Sequence, residues 1–168
     1  MTAVSSSSAS SSPSSQSSST PVQDVWLVAH DLTVLGDRAA REAARLAAPA
    51  RARVTLLHLH DIPRRNPYER TGRETFAVDE DIRRRLGTLA DALITGHPGL
   101  RVDVEVLAGN PRERILQEAD RLAATHIVVG THDRKGLARL VLGSVAESVV
   151  HAARVPVLVV RGGDEPLA

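Results

Sequence analysis

Hydrophobic runs alternate with helix-like patterns along most of the chain after residue 22. Short apolar runs rich in β-branched residues predict five strands, at about Val25–Ala29, Arg53–Leu59, Val102–Leu107, Thr125–Val129 and Val155–Val160. Between them, apolar positions at helical spacing predict four helices, the first starting near Asp37 and the second covering about Asp79–Ile94. Strict alternation of strands and helices along a chain is typical of a parallel sheet covered by helices. We therefore predict an α/β fold, a doubly wound five-stranded parallel sheet of Rossmann-like or flavodoxin-like type with helices on both faces.

Two segments interrupt this pattern. The N-terminal stretch is mostly serine and offers little apolar surface to offset the entropy of ordering it, so we expect a disordered tail over 1–21. It is either a plain flexible tail or one that is phosphorylated or bound by a partner. A domain over 22–163 and a C-terminal tail over 164–168 follow. The second segment, Ile62–Ala77, is rich in Pro and Arg and predicts a long loop.

Charge and composition narrow the classes of partner. With 21 Lys and Arg against 20 Asp and Glu, the chain has no global field that would attract nucleic acid or an anionic membrane. Aromatic residues make up 2% of the chain, which argues against base stacking. Without cysteine there is no disulfide, thiolate catalysis or Cys-type zinc site. We expect a cytoplasmic protein with no nucleic-acid or membrane partner.

The candidate chemistry lies where the fourth strand passes to the fourth helix. Gly130-Thr131-His132-Asp133 is followed, after nine intervening residues, by Gly143-Ser144. Glycine lets backbone N–H groups approach an oxyanion, and a helix N-terminus adds unpaired N–H groups and the positive end of its dipole. The pattern therefore predicts an anion site, to which Ser144 adds a hydroxyl donor.

The segment Val128–Val160 resembles the C-terminal signature of the universal stress protein (UspA-like) family. In ATP-binding members this signature is Gly, two residues, Gly, nine residues, then Gly with Ser or Thr. Gly130, Gly143 and Ser144 match it, whereas Asp133 takes the place of the second glycine with the spacing of nine kept. The resemblance implies the strand order 3-2-1-4-5 and a homodimer formed through the last strand.

The resemblance also implies where a nucleotide would lie. In such sheets ligands bind beyond the carboxyl ends of the strands where the order reverses, here between the first and fourth strands. In the family's ATP binders, positions like Asp31 meet the ribose or adenine end, and positions like Leu59 line the adenine pocket. The resulting set of candidate nucleotide-binding residues is Ala29, His30, Asp31, Leu59, Gly130, Thr131, His132, Asp133, Gly143, Ser144 and Val145.

Asp133 separates two hypotheses of function. A carboxylate repels a triphosphate by about 1–4 kcal/mol at about 4 Å, although Arg134 and Lys135, or a shared divalent cation, would offset this. The first hypothesis is a dimeric cytoplasmic stress-response regulator that binds ATP with Mg²⁺, or another adenine nucleotide, and acts on an unknown regulatory protein. The second is a family member without nucleotide binding that acts as a protein-interaction module, its two glycines serving turns and Asp133 capping a local helix.

Other polar residues have simpler interpretations. Asp31 equally fits a turn or capping role after the first strand. His58 and His60 share a face of the second strand, and His30 and His132 lie at neighbouring strand ends, but no carboxylate is fixed beside them, so we predict no metal site. The loop after the first strand lacks the HxGH or SGGxDS pattern of adenylyl-transferring enzymes. We predict no catalytic residue and no enzyme activity, with slow ATP hydrolysis as the alternative.

Overall fold

A computed structural model of the protein describes residues 23–60, 72–131 and 142–162. The predicted tails over 1–21 and 164–168, and most of the predicted loop, lie outside the described residues. A short 3-10 turn follows the first helix. The elements in chain order are β1 (Val25–Ala29), α1 (Val34–Ala47), β2 (Arg53–His60), α2 (Gly72–Gly96), β3 (Arg101–Ala108), α3 (Pro111–Arg121), β4 (His126–Thr131), α4 (Ser144–Ala152) and β5 (Val157–Arg161).

The five strands form one parallel sheet in the order β3-β2-β1-β4-β5, as predicted. β1 lies at the centre, where Val28 is in register with Leu56 of β2 and with Val128 of β4. The strand order reverses between β1 and β4. The carboxyl ends of these two strands therefore lie side by side with a crossover leaving on each side, which is the place where such sheets bind ligands.

Alternate strand residues pack on opposite faces, and helices cover both faces as predicted. On one face Val28, Leu56 and Val128 pack against α1, whose alanines are fully buried at Ala39, Ala40, Ala43, Ala44 and Ala47. On the other face Leu27, Leu57 and Ile127 pack against α3 and α4. Burial on both sides explains why the central strands are continuous apolar runs rather than alternating ones.

Two helices begin earlier than the sequence predicted. α1 begins at Val34 instead of near Asp37 because Thr33 caps it, its Oγ1 accepting a hydrogen bond from the Gly36 N–H at 3.3 Å. α2 begins at Gly72, so the last part of the predicted loop is helical. None of the helices in the described ranges is long and apolar enough to cross a membrane.

β4 is longer than predicted. It continues past Val129 through Gly130 to Thr131 because β5 pairs alongside it as far as Arg161. Two residues that were predicted to form a phosphate loop are therefore the last residues of a strand. α4 starts at Ser144, with Gly143 as its N-cap residue.

α3 is fixed over the sheet by a cap and by ion pairs. The Asn110 side chain accepts a hydrogen bond at 3.0 Å from the backbone N–H two residues on, and Pro111 occupies the first helical position. Further along, the buried Glu118 pairs with Arg121, which also bonds Glu105 on β3. The cap therefore fixes the first turn of α3, and the ion pairs join its last turn to β3.

Candidate functional site

An open cleft of about 670 Å³ lies at the carboxyl ends of β1, β2 and β4. Its volume falls within the roughly 300–1,000 Å³ of small-molecule sites. Every described residue of the predicted set lines it, on both sides of the strand-order reversal: Ala29, His30, Asp31, Leu59, Gly130, Thr131, Gly143, Ser144 and Val145. The other two, His132 and Asp133, lie outside the described residues.

The apolar floor of this cleft was not among the residues predicted from the sequence. Leu57 and Ile115 are each 1% exposed and line it together with Pro111, and Leu142 and Ala146 add to it from the α4 side. The periodicity of the sequence indicates two of these residues, Leu57 and Ile115. Leu57 lies two residues before Leu59 on the same face of β2, and Ile115 lies one helical turn after the start of α3.

Asp31 forms a tight turn at the edge of the cleft. Its Oδ1 accepts hydrogen bonds from the Thr33 N–H at 3.0 Å and from the Thr33 hydroxyl at 2.6 Å. The backbone of Gly36 lies so close that a Cβ there would be 2.7 Å from Asp31 Oδ1. The turn role considered for Asp31 is therefore present, and its exposed carboxylate is held in one place against the first turn of α1.

The His30 side chain is fully buried beneath this turn. Its Nε2 lies 3.0 Å from Asp37 Oδ1, and its Nδ1 accepts a hydrogen bond from the Leu32 N–H at 3.0 Å. Burial lowers the pKa of His30 from its ordinary value, although the carboxylates of Asp37 and Asp31 act in the opposite direction. Because Nδ1 is an acceptor, the ring is neutral with its proton on Nε2, and both nitrogens are occupied within the protein.

The other histidines of this region also have protein partners. His58 Nδ1 donates to the His30 carbonyl oxygen at 2.8 Å, and His60 Nε2 lies 3.3 Å from Asp79 Oδ1. Among residues 23–60, 72–131 and 142–162, no group of three or more His, Cys, Asp or Glu side chains is placed to hold a metal ion. His30 and His58 thus act as hydrogen-bonding residues of the fold, and His60 lies beside Asp79.

The opposite side of the cleft is built around two glycines. A Cβ on Gly130 would lie 2.8 Å from Leu35 Cγ, so the glycine makes room for a leucine of α1. Thr131, which is 3% exposed, accepts a hydrogen bond at its Oγ1 from the Gly143 N–H at 3.2 Å. Its carbonyl oxygen accepts another from the Gly162 N–H at 3.2 Å. Thr131 therefore joins the ends of β4 and β5 to the start of α4.

The N-terminus of α4 faces the cleft. Its first intrahelical bond runs from the Glu147 N–H to the Gly143 carbonyl at 2.9 Å, so the N–H groups of Ser144, Val145 and Ala146 precede the hydrogen-bonded part of the helix. All three residues line the cleft. Backbone N–H groups and the helix dipole favour an anion at this end of the cleft.

A model of the Universal stress protein family matches residues 25–161. The chain belongs to the universal stress protein family. It is 36% identical over 141 residues to a universal stress protein of Thermus aquaticus, covering 80% of this chain and 96% of that protein. It is 44% identical over 63 residues to universal stress protein MJ0531 of Methanocaldococcus jannaschii, covering 38% of this chain. That match spans 37% of the length of the M. jannaschii protein.

Solved structures share the fold of this universal stress protein. Hypothetical protein MJ0577 superposes with a TM-score of 0.70 at 23% identity, covering 84% of this chain and 98% of that one. A universal stress protein in complex with cAMP gives 0.60 at 20% identity, with coverages of 84% and 98%. The universal stress protein from Archaeoglobus fulgidus in complex with dAMP gives 0.57 at 22% identity, with coverages of 82% and 97%. At these identities the likeness establishes the fold.

Proposed function

We propose that this universal stress protein binds an adenine nucleotide in the cleft between β1 and β4 and acts as a stress-response regulator rather than as an enzyme. One observation carries the proposal: a single cleft joins a helix N-terminus suited to phosphate with a carboxylate suited to ribose. The two structural neighbours solved with cAMP and with dAMP support the same class of ligand.

The lining of the cleft fits the three parts of a nucleotide. Leu59, together with Leu57 and Ile115 of the apolar floor, offers contact to a planar base. The Asp31 carboxylate is positioned to accept hydrogen bonds from ribose hydroxyls. The N–H groups at the start of α4, together with the exposed Ser144, supply donors for a phosphate.

The charges of the cleft predict a dependence on Mg²⁺. Asp31 and Glu147 are acidic, and the described lining residues include no lysine or arginine. A triphosphate therefore needs a cation, either Mg²⁺ or the side chains of Arg134 and Lys135 in the segment outside the described residues. A monophosphate carries less charge and needs less compensation. We expect Mg²⁺ to strengthen the binding of ATP more than that of AMP.

Titration calorimetry of the full chain with ATP and with AMP, each with and without Mg²⁺, tests the proposal. Asp133→Gly, which restores the family's second signature glycine, is measured in parallel. Binding by the wild type supports a nucleotide-responsive protein. Binding by the variant alone means that Asp133 closes an otherwise intact site, and absence of binding by both contradicts the proposal.

A matched pair of substitutions on α4 tests where the phosphate lies. Ser144→Glu places a carboxylate at the helix N-terminus, where it suits the helix dipole but repels a bound phosphate. Ser148→Glu makes the same change one turn further along, outside the cleft lining. We expect Ser144→Glu to weaken AMP binding about tenfold or more, at a cost of about 1.4 kcal/mol, and Ser148→Glu to leave it near wild type. Equal effects of the two variants would argue against a phosphate at α4.

A second candidate is the interaction module without nucleotide binding. It is favoured by the packing roles of two signature residues: Gly130 makes room for Leu35, and the Gly143 N–H is bonded to Thr131. Both glycines would then serve the fold alone and would not contact a ligand. This function would be favoured if neither the wild type nor Asp133→Gly bound ATP or AMP in the calorimeter while binding of a protein partner was retained.

The proposed regulator is a homodimer formed through β5 and located in the cytoplasm. β5 is an edge strand of the sheet, and Val157, Leu158 and Val159 along it are half-buried rather than fully covered. An apolar edge strand is a natural template for pairing with a second copy. Sedimentation velocity separates the monomer from the dimer, and a monomer at micromolar concentration would contradict this assembly.

A further inference from the structure

The loop between β1 and α1 is held in a conformation that leucine rarely adopts. Leu32 has a φ of 62°, in the left-handed region. Its N–H donates to His30 Nδ1 at 3.0 Å, so an imidazole supplies the hydrogen bond that the irregular backbone requires. The residue between them is Asp31, which lines the cleft. The position of Asp31 is thus determined by its two neighbours together with Thr33.

His30 is itself fixed on three sides. Its backbone N–H donates to the Leu57 carbonyl oxygen at 2.8 Å, and its backbone carbonyl oxygen accepts a hydrogen bond from His58 Nδ1 at 2.8 Å. On the α1 side the ring packs against Gly36, where a Cβ would come within 3.0 Å of it. With its backbone bonded to β2 and its buried ring packed against α1, His30 is a rigid support for the loop above it.

We propose that His30 is a positioning residue of the nucleotide site: its neutral ring holds the Leu32 N–H at Nδ1 and Asp37 at Nε2, and thereby orients the Asp31 carboxylate toward the ligand. This inference rests on the proposed function for its ligand. It differs from direct contact, because the buried ring has no nitrogen left for a nucleotide.

Burial holds the pKa of His30 below its ordinary value and keeps the ring neutral, as this role requires, although nearby carboxylates act in the opposite direction. Asp37 and Asp31 face the ring from α1 and its preceding loop, Arg85 acts on it from α2, and His58 approaches its carbonyl from β2. Protonation at Nδ1 would replace the acceptor for the Leu32 N–H with a donor. Acid should therefore release the loop and weaken nucleotide binding in the wild type.

Two isosteric variants separate the two ring nitrogens. His30→Asn keeps an acceptor near the Nδ1 position, whereas His30→Gln places its amide near the Nε2 position and leaves the Leu32 N–H without its partner. AMP affinity is measured by calorimetry at pH 7.5 and pH 5.5, with His97→Gln at the end of α2 as the control. We expect His30→Gln to weaken AMP binding about tenfold at pH 7.5. His30→Asn should bind AMP with nearly wild-type affinity, and the His97→Gln control should bind it as the wild type does. The weakening from pH 7.5 to 5.5 should be smaller in both His30 variants than in the wild type and the control; the part that all four proteins share is the protonation of the AMP phosphate, whose second pKa is about 6.

NMR of the full chain keeps the test independent of ligand binding and of variant folding. In ¹⁵N-labelled wild type, the His30 ring should be the neutral Nε2–H form, and the Leu32 amide should be protected from exchange. A protonated Nδ1, a rapidly exchanging Leu32 amide, or wild-type affinity in His30→Gln would overturn the proposal. If no nucleotide binds to the wild type, the proposed function fails, while the ring state and the Leu32 amide still decide whether His30 holds the loop.

Discussion

The two sides of the cleft are built by different means. On the β1–α1 side, side-chain hydrogen bonds join residues within eight positions of one another: His30 to Leu32 and Asp37, and Asp31 to Thr33. On the β4–α4 side, the described contacts join residues from distant parts of the chain. Leu35 of α1 packs over Gly130, and the Thr131 hydroxyl reaches Gly143 twelve positions on.

This difference shows which side depends on the rest of the fold. The β1–α1 side carries most of its polar partners within a short stretch of sequence, and β2 adds two long-range hydrogen bonds to the backbone of His30. The β4–α4 side presents mainly backbone N–H groups, and it depends on the packing of α1 for its shape. Substitutions on the first side should therefore act through hydrogen bonds, and those on the second through steric fit.

The largest expected effects are at the contact between Gly130 on the β4–α4 side and Leu35. Gly130→Ala places a Cβ 2.8 Å from Leu35 Cγ, and Leu35 is itself 6% exposed and has little room to move. We expect a loss of about 1–3 kcal/mol in the free energy of unfolding, measured by urea denaturation. Gly143→Ala is the matched control. Its Cβ would meet nothing within 4 Å, and we expect a loss below about 1 kcal/mol.

A double-mutant cycle identifies the clash. Leu35→Ala alone should cost about 2–5 kcal/mol because it leaves a cavity. In the Leu35→Ala background, Gly130→Ala should then cost almost nothing. If Gly130→Ala is as costly without Leu35 as with it, the role of this glycine is not to make room for the leucine.

The next effect is the pH dependence of stability on the β1–α1 side. Burial lowers the pKa of His30 below about 6.5, so between that value and the lowered pKa the unfolded chain binds more protons than the native one. Stability should be full above pH 6.5 and fall as the pH drops through this window, by at most about 1.4 kcal/mol per pH unit from this group. Urea midpoints at pH 7.5 and 5.5 measure it. His30→Asn should flatten the profile, and an equally steep profile in that variant would assign the dependence to other groups.

The fold could be predicted because its signals are periodic and local. Alternating apolar runs and helical spacing gave five strands in the correct places, and the family resemblance gave their order. The ends of strands and helices that depend on contacts with other residues were not predicted. β4 extends to Thr131 because β5 pairs beside it, and α1 begins at Val34 because Thr33 both caps it and bonds Asp31.

The same distinction applies to the site. Asp31 and Gly143 could be placed in one cleft because the carboxyl ends of adjacent parallel strands and the helix that follows must lie together. The packing role of Gly130 could not be predicted, since it depends on a leucine from another element. Nor does any sequence rule place Leu32 in a left-handed conformation, which the His30 ring supports.

The smallest expected effect tests the cap that the β1–α1 side has and the β4–α4 side lacks. Thr33 Oγ1 accepts from the Gly36 N–H and donates to Asp31, whereas Gly143 caps α4 without a side chain. Thr33→Ala should cost about 1 kcal/mol of unfolding free energy, and Thr33→Ser, which keeps the hydroxyl, only a few tenths, roughly. Urea denaturation measures both. If the two variants lose the same stability, the methyl group of Thr33 matters rather than its hydroxyl, and the β1–α1 side is held by packing like its counterpart.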